Sequence, residues 1–420
     1  MAGKKVDVAE LINITTREIK QNNRFMTLSD TGDIYTWKGD IWVNNGEIRI
    51  RELAELALDN ANMHMVSEIV EKIKRQTYIG RDKLNRNDKK ITLLNCVLDL
   101  ETGLSAGHDP ELYQTIQLPV NYDPAAKCPV IDKFVHESMM EYAPLFYEIL
   151  AYCLIPGYRF KKFFIFLGEA NTGKTTAIDV MYRFIGQKNT SELTLQTLAD
   201  NRFALANLYG KLANICDDLP KVELKDVGRI KELTGNSPVH AEIKFIQKGI
   251  SYVNRAKLIF TCNKIPPTQG SDEAFYSRLL IVPFRFKPLQ QDNDLIEKLT
   301  CESEMSGLLN KVLKARKTIL KNNSFSINQT TEEVSYLYNL GSLDTVTKYA
   351  HDRIEYDTIN RIVKEDLYAD YVAYCEDLQL PLKELNSFHR KFQELGYNDI
   401  VRVTVDNERK AAYMGIKFRE

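Results

Sequence analysis

Residues 166–176 read FLGEANTGKTT, where Gly168 is followed, after four residues, by Gly173, Lys174 and Thr175. This GxxxxGK(S/T) spacing suits a loop that wraps the phosphates of a nucleotide. Gly168, Glu169, Ala170, Asn171, Thr172 and Gly173 would form a turn whose backbone N–H groups point inward, and a helix starting near Lys174 would add its positive end. Lys174 would neutralise β- and γ-phosphate charge, Thr175 would ligate Mg²⁺, and Thr176 closes the segment expected to hold ATP. Such a loop by itself leaves kinases, GTPases, ATPases and motors open.

Three further stretches carry groups suited to the same chemistry. In LANICDDLP an apolar run leads into Asp217 and Asp218. At the C-terminal end of a core strand these carboxylates would face the phosphate loop's crevice, one holding Mg²⁺ and the other polarising the attacking water, in an order that spacing leaves open. KLIFTCNKIPP puts Asn263 at the end of another apolar strand, where an amide can orient the lytic water or touch the γ-phosphate. SDEAFYSRLLIVPF places Arg278 between a helical stretch and a strand; an arginine supplied by a neighbouring subunit is worth about 10³ to 10⁵ in rate.

The elements that position these groups follow from apolar periodicity. From 161 to 286, short apolar runs alternate with helices, which predicts an α/β domain with a mainly parallel sheet. Before it, residues 31–43 predict a hairpin, residues 48–75 have helical spacing, residues 93–111 read as strand, turn and loop, and residues 123–159 read as two amphipathic helices ended by Pro156 and Gly157. Helix is expected again to about Leu320, then a polar linker. The chain should close with helices and a two-stranded wing in DIVRVTVDNERKAAYMGIKF. The expected divisions are an α+β region over 1–122, a helical collar over 123–160, a motor over 161–322, a linker over 323–335 and a final unit over 336–420.

The 420 residues, 44% hydrophobic and 27% charged, suffice for two or three domains. With 56 basic against 57 acidic residues, the net charge of -1 offers no global attraction to nucleic acid, so a polyanion site must be a local patch. Cys96, Cys128, Cys153, Cys216, Cys262, Cys301 and Cys375 form no CxxC or CxxH pair and are expected to be buried thiols of a reducing cytoplasm. No stretch approaches the roughly 18 to 20 apolar residues of a membrane span, so a soluble intracellular protein is expected.

GEANTGKTT, NICDD, IKELTGNSPVHAEIKF, LIFTCNKIP and DEAFYSRLLIVPF occur in the order and spacing of the superfamily-three helicases. The chain resembles the helicase part of phage, plasmid and poxvirus primase-helicases. NCVLDLETG, QLPVNYDPAAKCP and EILAYCLIPGYR are similar to that family's amino-terminal region, and VKEDLYADYVAYCEDLQLPLKELNSFHRKFQELGY to its winged helix. One departure is that Thr172, preceded by Asn171, stands where the phage branch usually has asparagine; NTGKT is similar to the loops of small DNA-virus helicases.

The resemblance implies an AAA+-like P-loop ATPase domain, an N-terminal α+β region and a C-terminal winged-helix-like domain. It gives Lys174 and Thr175 the phosphate and magnesium roles, Asp217 and Asp218 the second acidic motif, Asn263 the polar sensor and Arg278 a finger acting in trans. VHAEIKFIQKGISYV corresponds to a DNA-contacting hairpin, with Lys244 and Lys248 on backbone phosphates and Phe245, Ile246 and Gln247 at the tip; Lys231 would reach a neighbour's nucleotide. The implied activity is ATP-driven translocation by a ring, expected to be a hexamer, on single-stranded and forked DNA during replication of a phage, plasmid or mobile element. A primase or polymerase domain is an expected partner. The alternative is an origin-binding initiator or remodeller that does not unwind processively. In the final unit Lys383, His389, Arg390, Lys391, Arg402, Arg409 and Lys410 could meet DNA, or the unit could dock protein. Asp99 and Glu101 share a strand face as metal ligands would, but the glycine that follows favours a strand-to-turn reading.

Overall fold

Among the described residues, apolar side chains build three separate cores. The computed structural model describes residues 7–242, 249–268, 273–286, 292, 294–342, 345–378, 380, 382–405 and 408–419. In the first unit α1 (Val8–Asn22) buries Ile12 and Ile19 along one stripe, and Asp7 caps it by accepting from the Ala9 N–H at 3.1 Å. Strands β1 (Phe25–Leu28), β2 (Ile34–Trp37) and β3 (Trp42–Val43) form an antiparallel meander, so the hairpin expected over 31–43 is β2 and β3, with Trp37 opposite Trp42. The helical stretch of 48–75 divides into α2 (Gly46–Ala57) and α3 (Met63–Gln76), because Asn62 caps a new helix by accepting from Met65 N at 3.0 Å. β4 (Tyr78–Ile79) joins β1 in parallel and completes the sheet β3-β2-β1-β4.

β5 (Lys90–Thr92), β6 (Val97–Asp99) and β7 (Ser105–Ala106) form a second small sheet. Its Ile91 and Leu98, with Leu118 and Val120 beyond it, pack into the central core rather than onto α1 to α3. The division expected near 122 therefore falls between β4 and β5. Asp99 Oδ1 accepts from the N–H groups of Glu101 (3.0 Å) and Thr102 (2.8 Å), which is a turn cap, and Glu101 pairs with Lys89 at 3.0 Å.

α4 (Pro129–Met139) is followed by α5 (Ala143–Cys153), which is buried on nearly every side rather than amphipathic, packing on the later helix of Glu302–Asn322 and setting Tyr152 against Phe164 of the large sheet. The central unit then alternates β8 (Phe163–Gly168), α6 (Lys174–Ile185), β9 (Thr190–Ser191), α7 (Leu195–Asp200), β10 (Ala213–Cys216) and α8 (Gly228–Leu233). An antiparallel pair, β11 (Pro238–Ala241) and β12 (Ile250–Val253), precedes β13 (Lys257–Cys262), α9 (Glu273–Tyr276) and β14 (Leu279–Phe284). The large sheet has the order β14-β8-β13-β10-β9 and every pairing in it is parallel. Its middle strands are buried on both faces, which explains their mostly apolar sequence, with Asn214, Lys257 and Thr261 as buried polar exceptions.

α10 (Leu295–Leu299) and α11 (Glu302–Asn322) follow. The stretch expected to be a linker is instead tied down: Ser326 N and Oγ donate to Glu148 at 3.0 Å, and the Gln329 amide exchanges two bonds with the backbone of Ile281 (3.0 and 2.8 Å). α12 (Thr331–Ser342) begins inside that stretch and sends Val334 and Tyr338 into the central core, so the third unit starts later than 336. That unit runs α13 (Thr345–Arg353), β15 (Ile354–Val363), α14 (Lys364–Asp377), α15 (Leu385–Glu394), β16 (Ile400–Val405) and β17 (Glu408–Phe418). The expected wing is β16 and β17, but β15 adds a third strand on the other side of β17. Six cysteines are buried as expected and Cys301 is exposed. Among the described residues no helix is long and apolar enough to cross a membrane.

Candidate active site

β8 delivers the glycine loop to the carboxyl edge of the large sheet. Gly168 is the last residue of β8, where an added Cβ would collide with the carbonyl oxygen of Phe284 on β14, so only glycine fits. The loop then turns through two left-handed residues, Asn171 (φ 63°) and Gly173 (φ 90°), and Gly173 caps α6. A side chain at Gly173 would also press on Ser138 and Phe134, so α4 braces the loop from behind.

Lys174 opens α6 and is only 7% exposed. Its Nζ donates to the Glu169 carbonyl at 2.5 Å and lies 3.5 Å from Thr172 Oγ1, which itself donates to the same carbonyl at 2.8 Å. Burial pulls the lysine below its usual pKa, and the charges of Asp217, Asp218 and Glu169 partly restore it. The ammonium is thus held by neutral oxygens in a cradle where an anionic acceptor would bind it more strongly.

The acidic pair follows β10. Thr175 Oγ1 donates to Asp217 Oδ2 at 3.0 Å, while Asp217 Oδ1 accepts from Thr261 Oγ1 and from Asp218 N at 3.0 Å. Asp218 N also donates to Thr261 Oγ1 at 2.8 Å, and Asp218 adopts φ 50°. The pair is therefore unequal: Asp217 is joined to the phosphate loop by its side chain, whereas the bonds that fix Asp218 run through its backbone. β13 lies between β8 and β10, so Asn263, exposed just past Cys262, stands between the glycine loop and Asp217. Burial, with Asp217 adding to it, raises the pKa of Asp179 on α6.

The donor set fits a magnesium ion bound with nucleotide. A threonine hydroxyl and a carboxylate 3.0 Å apart are hard oxygen ligands, and Mg²⁺ is typically held by one or two carboxylates plus phosphates and water. Among the described residues no cluster of three or more His, Cys, Asp or Glu suggests another metal.

Arg278 does not join this group. In the parallel register Leu279 stands beside Phe163, at the start of β8, so Arg278 occupies the amino edge of the sheet. The loop begins five residues further along β8, about 16 Å away at a rise of roughly 3.3 Å per residue. Arg278 Nη1 donates to Ala274 O at 2.5 Å, and its buried Nε has no partner among the described residues. Lys231 is on α8, which packs against α9, the helix just before Arg278.

The arms of the expected hairpin are β11 and β12, paired from Pro238 and Val253 to Ala241 and Ile250. Lys244, Phe245, Ile246, Gln247 and Lys248 lie outside the described residues. The foot of the arms is firmly held: Asn254 Nδ2 donates to Leu233 O at 3.0 Å, and the fully buried Lys257 donates to the carbonyls of Ile155 (2.7 Å) and Arg255 (2.8 Å) between the rings of Tyr152 and Tyr158.

In the third unit the expected basic surface is smaller than its sequence. Burial pulls His389 down to about 4, and its Nδ1 is 3.1 Å from Tyr413 OH. Lys391 pairs with Glu394 at 3.0 Å and Lys410 with Glu365 at 2.8 Å. Arg390, Arg402 and Arg409 are exposed.

Sequence reasoning missed Thr261. The signal was present, because Thr261 is a polar residue inside the apolar run that ends just before Asn263.

Comparison with known proteins matches residues 2–139 to a family described as D5 N terminal like, and residues 166–278, from β8 to Arg278, to a family of unknown function, DUF5906. A protein of Invertebrate iridescent virus 6 named "Putative helicase 184R" is 26% identical over 315 residues, covering 69% of this chain. The chain spans 30% of that relative's length. Two apo structures of the NrS-1 C terminal region align at TM-scores of 0.48 and 0.47, each with 13% identity, over 98% and 97% of this chain and 100% and 99% of theirs.

Proposed function

We propose that this chain is the motor of an ATP-dependent DNA helicase of the superfamily-three type, working as a ring, expected to be a hexamer, on single-stranded and forked DNA in viral or mobile-element replication. The observation that carries the reading is the cluster at the carboxyl edge: the glycine loop, Lys174, Thr175, Asp217, Asp218 and Asn263 converge, and Arg278 lies at the far edge. The likeness to a viral helicase and to the D5 N terminal like family supports it.

In this reading the loop amides and Lys174 hold the β- and γ-phosphates, while Thr175 and Asp217 hold Mg²⁺, which would supply charge neutralisation on the phosphates. Asp218 accepts the proton of the attacking water and Asn263 orients that water. Arg278, too far from its own loop, serves the nucleotide of the next subunit, and Lys231, on a helix packed against the one before Arg278, would reach the same nucleotide. The hairpins carried by β11 and β12 gather lysines in a central channel, which lets a chain of net charge -1 hold a single strand. The third unit follows the order helix, strand, helix, helix, strand, strand with β17 central, which supports a winged-helix reading with Arg390, Arg402 and Arg409 as its exposed cations.

Strand displacement on a forked duplex tests the proposal. Wild type with ATP should separate the strands, and Lys174→Ala should neither hydrolyse ATP nor separate them. Hydrolysis and DNA binding without displacement would favour the initiator or remodeller instead.

A further inference from the structure

We propose that Thr261 is a positioning residue for both members of the acidic pair, and that through it the strand leading to Asn263 sets the carboxylate that faces Thr175. The inference rests on the nucleotide-site reading above. Thr261 is 1% exposed, near the end of β13. Its single hydroxyl makes two bonds of opposite sense, donating to Asp217 Oδ1 and accepting from Asp218 N at 2.8 Å.

The two bonds do different work. Asp217 lies at the exposed sheet edge, where a lone carboxylate samples several rotamers. Here Thr175 holds Oδ2 at 3.0 Å and Thr261 holds Oδ1, so each oxygen has its own hydroxyl donor and the carboxylate plane is fixed from both sides. Asp218 needs a different restraint because φ 50° is unfavourable for a residue with a Cβ. The bond from its N–H to Thr261 helps to hold that conformation. A group that both donates and accepts is required at this point, which a threonine or serine hydroxyl supplies and valine, of the same shape, does not. Groups that fix a metal ligand's orientation commonly change metal affinity by about 10- to 100-fold when removed.

The test is binding of a fluorescent ATP analogue to the full chain, in Mg²⁺ and in EDTA. For wild type, Mg²⁺ should tighten binding. Thr261→Val should lose about tenfold of that gain, while affinity in EDTA, carried by the loop and Lys174, falls less than about twofold. Thr261→Ser should recover most of the gain. In an Asp217→Asn background Thr261→Val should cost much less of the gain than in wild type, because its larger effect runs through that carboxylate. Thr261→Ala controls for the shape of valine, and a full Mg²⁺-dependent gain in either hydroxyl-free variant overturns the proposal. If Lys174→Ala also binds nucleotide like wild type, the nucleotide-site reading itself has failed, which is a separate outcome.

Discussion

The two edges of the large parallel sheet are built differently. At the carboxyl edge the groups form a linked set: Lys174 donates to the Glu169 carbonyl and lies near Thr172 Oγ1, Thr175 donates to Asp217, and Thr261 bonds both the Asp217 carboxylate and the Asp218 N–H. At the amino edge Arg278 rests on one backbone carbonyl with its Nε unpartnered among the described residues. The same edge starts β13 at Lys257, beside the foot of the hairpin arms. In the proposed function the carboxyl-edge group can be completed within one chain, whereas a charged group at the opposite edge could act on phosphate only if another copy brought its loop there. In the function proposed above, the amino edge is the place where subunits and DNA would be sensed, and the carboxyl edge the place where the chemistry would be prepared.

The sharpest way to break that contrast is Arg278→Ala. ATP turnover should fall by about 10³ or more, with nucleotide binding retained. Mixed with Lys174→Ala, which has an intact Arg278 but a damaged loop, some turnover should return at interfaces joining a good loop to a good arginine. Steady-state hydrolysis over a range of mixing ratios reads this out. A flat, inactive series would mean that Arg278 does not serve a neighbour.

Gly168→Ala attacks the other edge. The new methyl would meet the carbonyl of Phe284, so β8 and β14 must shift apart just where the loop begins. Overpacking of this kind costs about 1 to 3 kcal/mol, and displacement of the loop should also weaken nucleotide binding by at least about tenfold. Chemical denaturation and nucleotide titration measure the two effects. A variant as stable as wild type with unchanged affinity would show that the loop does not depend on this close approach.

Much of the carboxyl edge was legible because its chemistry is written in short segments. GEANTGKTT, NICDD and LIFTCN each place a polar group directly after an apolar strand, and parallel pairing then brings the strand ends together. What escaped depended on contacts between distant segments. Gln329 looked like linker, yet its amide matches the free backbone groups of Ile281 on the edge strand β14. Glu148 looked like the polar face of an amphipathic helix, yet it is buried and satisfied by Ser326. β15 was missed because DTIN interrupts its alternation: Asp357 Oδ1 accepts from Ile359 N (2.9 Å) and Asn360 N (3.0 Å), a turn within a strand. β5 and β6 sit next to the first unit in sequence, although Ile91 and Leu98 complete the central core.

Lys257 offers a finer probe of how rigid the amino edge is. Burial lowers its pKa from 10.5 to about 7, despite the carbonyls and tyrosine rings around it. Because the folded value lies below the unfolded one, the unfolded chain binds the extra proton between about pH 7 and 10.5, and stability contributed by this site rises with pH through that window. Below pH 7 both states are protonated and the full cost of burying the charge remains. Lys257→Met removes the titration, so the stability of wild type relative to the variant should climb by up to about 1.4 kcal/mol per pH unit between pH 7 and 9. Urea denaturation of both proteins at pH 7, 8 and 9 gives the slope directly. Equal slopes would mean that Lys257 stays charged in its tyrosine cage, in which case the hairpin foot is held by a permanent cation rather than by an amine that releases its proton.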